Sequence, residues 1–111
     1  MTIKDLIDNG FEPVLVISEN TEIKTAYTSD LLSDVLANGK EDSLLITIQA
    51  HKNTVAVSSI VGIKAIIICN NRRIPDDMKQ LALNEKVSIL RTKDDQFKTS
   101  YIVYKLIHGN E

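Results

Sequence analysis

The stretch LLITIQAHKNTVAVSSIVGIKAIIIC, residues 44–69, decides the fold of this chain of 111 residues. It contains two nearly continuous aliphatic runs, at residues 43–49 and 64–69, which are typical of parallel strands covered by helices on both faces. Two adjacent parallel strands need a crossover of about a dozen residues, usually a helix. We therefore predict a helix over residues 54–61, despite its β-branched residues, with Asn53 as its N-cap and Gly62 at its end.

The segments on either side of this stretch alternate between strand and helix patterns. In chain order we predict a helix at residues 1–9, a strand at 13–18, an edge strand at 23–28, a helix ending at residue 38, a helix beginning at residue 75, a strand at 87–91 and a final helix. Ser29 or Asp30 is predicted to cap the helix that ends at residue 38, and Thr92 with Asp95 resembles a capping box. This alternation predicts a single α/β domain with three layers, α/β/α, around a mostly parallel sheet.

Composition argues against several classes of function. The formal charge is −2 and the basic residues are scattered, which does not favour nucleic acid as a partner. No apolar run approaches the roughly 18 residues of a bilayer span, so we expect no membrane partner and a cytoplasmic protein. One cysteine and two histidines do not supply the spaced ligands of a zinc or iron–sulfur site, and no motif indicates a cofactor.

Polar residues follow both aliphatic runs. Gln49, His51 and Asn53 come after the first run, and Arg72 and Arg73 come after the second. Ligands of open parallel sheets bind outside the carboxyl ends of the strands, where helix N-termini add partial positive charge. These five residues are therefore predicted to line a site for a small anionic ligand.

Simpler roles exist for the same residues. Asn53 can serve only as a helix cap, and His51 can be a hydrogen-bonded structural residue, since no carboxylate or nucleophile is paired with it in the sequence. Arg72 and Arg73 can lie in a solvated loop. Cys69 is expected to be a buried small hydrophobe. The aromatic stripe of the last helix, Phe97, Tyr101 and Tyr104, is expected to lie in the core or in an interface.

Four stretches carry a resemblance to a known family. They are YTSDLLSDVLANG at residues 27–39, the stretch quoted above, IPDD at 74–77 and VSILRT at 87–92. Together they resemble the DRTGG domain, which is similar to the amino-terminal domain of HPr kinase/phosphorylase. The TIQ-x-H-x-N segment resembles the stand-alone members found beside iron-only hydrogenase genes. The Asp-Arg-Thr-Gly-Gly motif itself is absent, as is the glycine-rich loop of the kinase.

The resemblance implies a three-layer fold and a non-catalytic regulatory or ligand-sensing role linked to redox or hydrogenase metabolism. The ligand expected from it is a small anion, with an adenine nucleotide as one candidate, and a redox enzyme or regulatory protein is an expected partner. We also expect a homodimer, because a domain of this size has a modest core and an exposed apolar strip is readily buried against an identical copy. Two alternatives stay open: an assembly module without a ligand, and a small enzyme that uses His51 as a base.

Overall fold

The computed structural model describes residues 1–109, in which a five-stranded sheet lies between two layers of helices. The strands are β1 (Glu12–Leu15), β2 (Thr25–Thr28), β3 (Ser43–Thr47), β4 (Ala65–Ile68) and β5 (Ser88–Arg91). The helices are α1 (Ile3–Asp8), α2 (Leu32–Asn38), α3 (Lys52–Val61), α4 (Asp76–Glu85) and α5 (Gln96–His108). The predicted α/β class with a mostly parallel sheet is confirmed.

The sheet has the order β1-β5-β4-β3-β2. β2, β3, β4 and β5 are parallel to their neighbours, whereas β1 is antiparallel to β5. β2 lies at one edge, as predicted, and β1 lies at the other. Because β1 runs in the opposite direction, its first residue, Glu12, pairs with Arg91 at the carboxyl end of β5.

The segment between the two aliphatic runs is helical, as the crossover argument predicts. α3 connects β3 to β4, which are adjacent and parallel with Leu44 beside Ala65. The helix ends at Gly62, whose φ of 90° lies in the left-handed region that favours glycine. The tertiary arrangement therefore overrides the β propensity of residues 54–61.

Every side chain of β3 and β4 is buried, because both faces of the sheet are covered. Leu44, Ile46 and Ile67 lie in one core with residues of α1 and α5. Leu45 and Ile66 lie in a second core with residues of α2, α3 and α4. Continuous aliphatic runs thus supply alternate side chains to two cores.

The helix starts differ from the sequence predictions. The N-cap of α3 is His51, not Asn53: the Nδ1 atom of His51 accepts the backbone N–H of Asn53 at 3.1 Å. Neither Ser29 nor Asp30 caps α2, which begins after Leu31 without a side-chain cap. α5 is capped by Asp95 alone, which accepts from Lys98 N at 2.9 Å. The capping predictions for α2 and α3 are therefore wrong, and the one for α5 is correct only in naming Asp95.

The aromatic stripe of α5 does not lie in the core. Phe97 is 86% exposed, and Tyr101 and Tyr104 are each 59% exposed. α5 instead buries Val103 and Thr99 against the sheet. The core alternative for this stripe is therefore wrong, and the interface alternative stays a prediction. No helix among residues 1–109 is long and apolar enough to cross a membrane.

Candidate functional site at the carboxyl edge of the sheet

The carboxyl ends of four parallel strands meet at one edge of the sheet, as the opening stretch indicates. Asp30 follows β2, Gln49 follows β3 and Asn70 follows β4. Thr92 follows β5, and β1 begins at the same edge because it is antiparallel. Loops and helix starts therefore converge at this edge, where ligands of open α/β sheets bind.

Asp30 joins three of the segments at this edge. Its Oδ1 atom accepts hydrogen bonds from Thr47 Oγ1, from the backbone N–H of Ile48 and from Gln96 Nε2, each at 2.9 Å. Thr47 Oγ1 in turn accepts the backbone N–H of Gln49 at 3.1 Å. This carboxylate holds the loop after β3 and the first turn of α5 in place, which explains why it does not cap α2.

The loops after β4 and β5 are also tied together. Asn70 and Asn71 have φ angles of 62° and 53°, in the left-handed region that asparagine tolerates better than most residues. In this conformation the N–H of Asn70 donates to Asp94 O at 3.0 Å, and the N–H of Asn71 donates to Thr92 O at 2.8 Å. The edge is thus a connected backbone framework with polar side chains on its outer surface.

Two of the predicted site residues lie in the loop between β3 and α3. The side chain of Gln49 is exposed and makes no hydrogen bond to another residue of 1–109. His51 is exposed too, but its Nδ1 atom already accepts the N–H of Asn53. His51 therefore caps α3 through Nδ1, which leaves Nε2 as the ring nitrogen for any other contact.

The other three predicted residues line no described depression together with Gln49. Asn53 lies in a shallow depression between α3 and α4, together with Asp77 and Asn84. Arg73 lines a different depression, beside β1 and β5, and Arg72 lines none of those described. None of the depressions described is therefore lined by two of the five predicted residues.

Sequence reasoning missed a further group of residues at this edge. An open depression of about 930 Å³ lies beside the start of α5, and its lining residues are Asn70, Lys93, Asp94, Asp95, Phe97, Lys98 and Tyr101. Its charges are nearly balanced, with a 3.5 Å ion pair between Lys98 and Asp94. Lys93, Asp94 and Asp95 come directly after β5, so the rule that pointed to Gln49 and Arg73 would also have found these three residues.

Asp34 and Cys69 are two of the titratable groups outside the edge whose pKa values are shifted. Hydrogen bonds from Ser29, Asn38 and Tyr27 hold the pKa of Asp34 below its usual value. Burial raises the pKa of the Cys69 thiol, which lies 3.6 Å from Thr99 Oγ1. Cys69 is fully buried, as predicted. Within residues 1–109, no group of three or more His, Cys, Asp or Glu side chains is placed to hold a metal ion.

Comparison with known proteins identifies the family. The family model for the DRTGG domain matches residues 30–106. The chain belongs to the DRTGG domain family. DRTGG domains are regulatory domains, and the match begins at Asp30, the residue that joins the segments of the carboxyl edge. No curated protein matches the sequence significantly.

A solved structure supports the same fold. The DRTGG chain is similar to a crystal structure of the CBS and DRTGG domains of the regulatory region of Clostridium perfringens pyrophosphatase, complexed with the activator diadenosine tetraphosphate. The TM-score is 0.72 at 13% sequence identity. The match covers 91% of this chain and 44% of that one, so this chain spans less than half of the clostridial regulatory region.

Proposed function

We propose that this DRTGG domain is a non-catalytic regulatory domain that binds a small anionic ligand, with an adenine nucleotide as the first candidate. The observation that carries the proposal is the carboxyl edge, where Gln49 and Arg73 are exposed and neither side chain has a hydrogen bond or ion pair within residues 1–109. The activator of the clostridial regulatory region, diadenosine tetraphosphate, is an adenine nucleotide.

The geometry of His51 favours regulation over catalysis. A general base needs a free nitrogen within reach of a substrate and usually a second positioned group. In His51 one ring nitrogen caps α3, and no carboxylate of residues 1–109 is hydrogen-bonded to the ring. We therefore expect the purified domain not to turn over ATP, and turnover that disappears on replacing His51 would contradict this.

Thermal unfolding with and without ligands tests the binding proposal. A ligand that binds only the native state raises the melting temperature in a saturable manner. ADP and metabolite anions are suitable probes, and Gln49→Ala is a suitable variant because its side chain has no partner to lose. Ligand stabilisation that is weakened in Gln49→Ala or Arg73→Gln would support the proposal. Absence of stabilisation by every anion would contradict it and favour an assembly module.

We also propose that the domain forms a homodimer through β2 and the exposed face of α5. The two edges of the sheet differ: β1 contains Pro13 and an irregular register, both of which discourage pairing with another strand, whereas β2 has neither. Tyr104 and Thr28 line one depression, so the aromatic stripe lies beside the unpaired edge. A twofold axis at β2 would pair identical strands and place the two α5 helices side by side.

Light scattering tests this interface. The wild-type protein should have twice the 12.4 kDa mass of one chain. Replacing Tyr101 and Tyr104 together by Glu should give a monomer, because four carboxylates would face one another across the twofold axis. Leu83→Glu on α4 is the matched control, since Leu83 and Tyr104 are both 59% exposed. A monomeric wild type, or equal dissociation in the control, would contradict this interface.

The remaining assignments rest on the sequence alone. They are a cytoplasmic location, a relationship to the amino-terminal domain of HPr kinase/phosphorylase, and a hydrogenase or related redox enzyme as the regulated partner. Co-purification of the tagged domain with a defined hydrogenase, lost on adding the ligand found by thermal unfolding, would support the partner assignment. No association in either state would contradict it.

A further inference from the structure

We infer that Arg73, Arg91 and Lys79 form a binding site for a phosphate group between α4 and the β1–β5 pair. The three cationic side chains line one depression of about 230 Å³ together with Glu12, Val14, Ile74 and Asp76. This inference rests on the proposed function in one respect, namely that the domain binds an anion at the carboxyl edge. It adds the location and the chemical class of the group that is bound.

Three distant parts of the chain supply the cations. Arg73 lies in the loop after β4, Lys79 lies on α4, and Arg91 is the last residue of β5. Because β1 is antiparallel, Glu12 reaches the same place and accepts from Arg91 Nη2 at 3.2 Å. Lys79 is 3.8 Å from Asp76, whose side chain is 89% exposed. Three cations and two carboxylates leave a net charge of about +1 in the depression.

Arg91 provides the observation that points to a ligand. Its Nε atom is one of two buried side-chain nitrogen or oxygen atoms in residues 1–109 that have no hydrogen-bond partner. A buried N–H of a charged guanidinium is costly to leave without an acceptor. The Glu12 carboxylate engages the Nη2 atom and not Nε. The Arg91 side chain as a whole is 30% exposed, so a phosphate oxygen in the depression is an acceptor of the right charge for its guanidinium, and guanidinium groups bind phosphate through paired hydrogen bonds.

The other residues of the depression favour the same ligand. Arg73 has no ion pair or hydrogen bond within residues 1–109, so its guanidinium is available to a second phosphate oxygen. α4 has ten residues and begins after Pro75, which has no side chain able to cap it. Within residues 1–109, the first backbone N–H groups of α4 therefore lack a side-chain acceptor, and the positive end of the helix dipole lies beside the depression.

Arg72 and Arg73 provide a matched pair of variants. They are adjacent and both exposed, but only Arg73 lines the depression. With inorganic pyrophosphate as the probe, Arg73→Gln should raise the dissociation constant about tenfold, the effect of losing one charge-assisted hydrogen bond. Arg72→Gln should change it less than about twofold, as expected for an exposed charge outside the site. ADP and adenosine, titrated in parallel, distinguish a nucleotide phosphate from a free one.

Nuclear magnetic resonance supplies a direct readout at Arg91. The Nε–H signal of Arg91 should shift with pyrophosphate and saturate at the same concentration as the thermal stabilisation. We expect saturation at both readouts, weaker pyrophosphate binding in Arg73→Gln and unchanged pyrophosphate binding in Arg72→Gln. This expectation holds whether or not ADP binds. Binding that does not shift the Arg91 signal and is equally strong in Arg73→Gln, but is lost in Gln49→Ala, would overturn this inference. The proposed function would then stay in place. No binding of pyrophosphate or ADP up to about 10 mM would overturn both.

Discussion

Replacing Asp30 by Ala tests whether one carboxylate holds the carboxyl edge together. The change removes the acceptor of three hydrogen bonds, from Thr47 Oγ1, Ile48 N and Gln96 Nε2. Gln96 can turn its amide to solvent, but Thr47 is fully buried and the Ile48 N–H is fixed in the backbone. Two donors left without an acceptor, at roughly 1–2 kcal/mol each, predict a loss of about 2–4 kcal/mol in the free energy of unfolding.

Urea denaturation followed by circular dichroism measures this loss. The midpoint should fall while the slope stays near the wild-type value, because the extent of surface exposed on unfolding is unchanged. Asp8→Ala is the control, since Asp8 is exposed and makes one ion pair, with Lys4, and should cost less than about 1 kcal/mol. Equal losses in the two variants, or a loss below about 1 kcal/mol for Asp30→Ala, would refute the role assigned to Asp30.

Three further predictions concern single residues. His51→Ala should lower the free energy of unfolding by about 0.5–2 kcal/mol because His51 caps α3. Asn53→Ala should lower it by less than about 0.5 kcal/mol. The reverse order of the two losses in urea denaturation would contradict this cap assignment. The lowered pKa of Asp34 means that its carboxylate stabilises the fold above the unfolded value near 4 and loses this contribution as pH falls through the folded value. Asp34→Asn should therefore reduce the fall in the free energy of unfolding at acid pH. A pH dependence equal to that of the wild type would count against this. The Cys69 thiol, buried and with a raised pKa, should react with a disulfide reagent only as fast as the protein opens, so reaction at the rate of free cysteine would disprove its burial.

The β3-α3-β4 unit could be predicted because its determinants lie close together in the sequence. Two aliphatic runs indicate strands buried on both faces, and the length between them requires a helical crossover. That requirement is geometric, so it holds although residues 54–61 favour a strand on propensity alone. Gly62 could be placed at the helix end for a similarly local reason, since its left-handed φ suits few other residues.

The cap assignments show where sequence information was insufficient. Asp30 is as good a capping residue as any, yet its carboxylate accepts hydrogen bonds from Thr47 and Ile48, which are brought beside it by the pairing of β2 with β3. At the start of α3, His51 and Asn53 both carry a suitable acceptor, and His51 accepts the backbone N–H. Several polar side chains compete for a few donors, and the tertiary contacts decide among them.

The carboxyl edge was determined by the sequence, but the grouping of its residues was not. A parallel sheet places the loops after β3, β4 and β5 at one edge, so Gln49 and Arg73 could both be expected there. Arg91 meets Glu12 across 79 positions of sequence because β1 pairs antiparallel with β5, a pairing that no local pattern indicates. Local hydrophobic patterns determine which segments are strands and helices, whereas strand order and direction decide which distant charges share one depression.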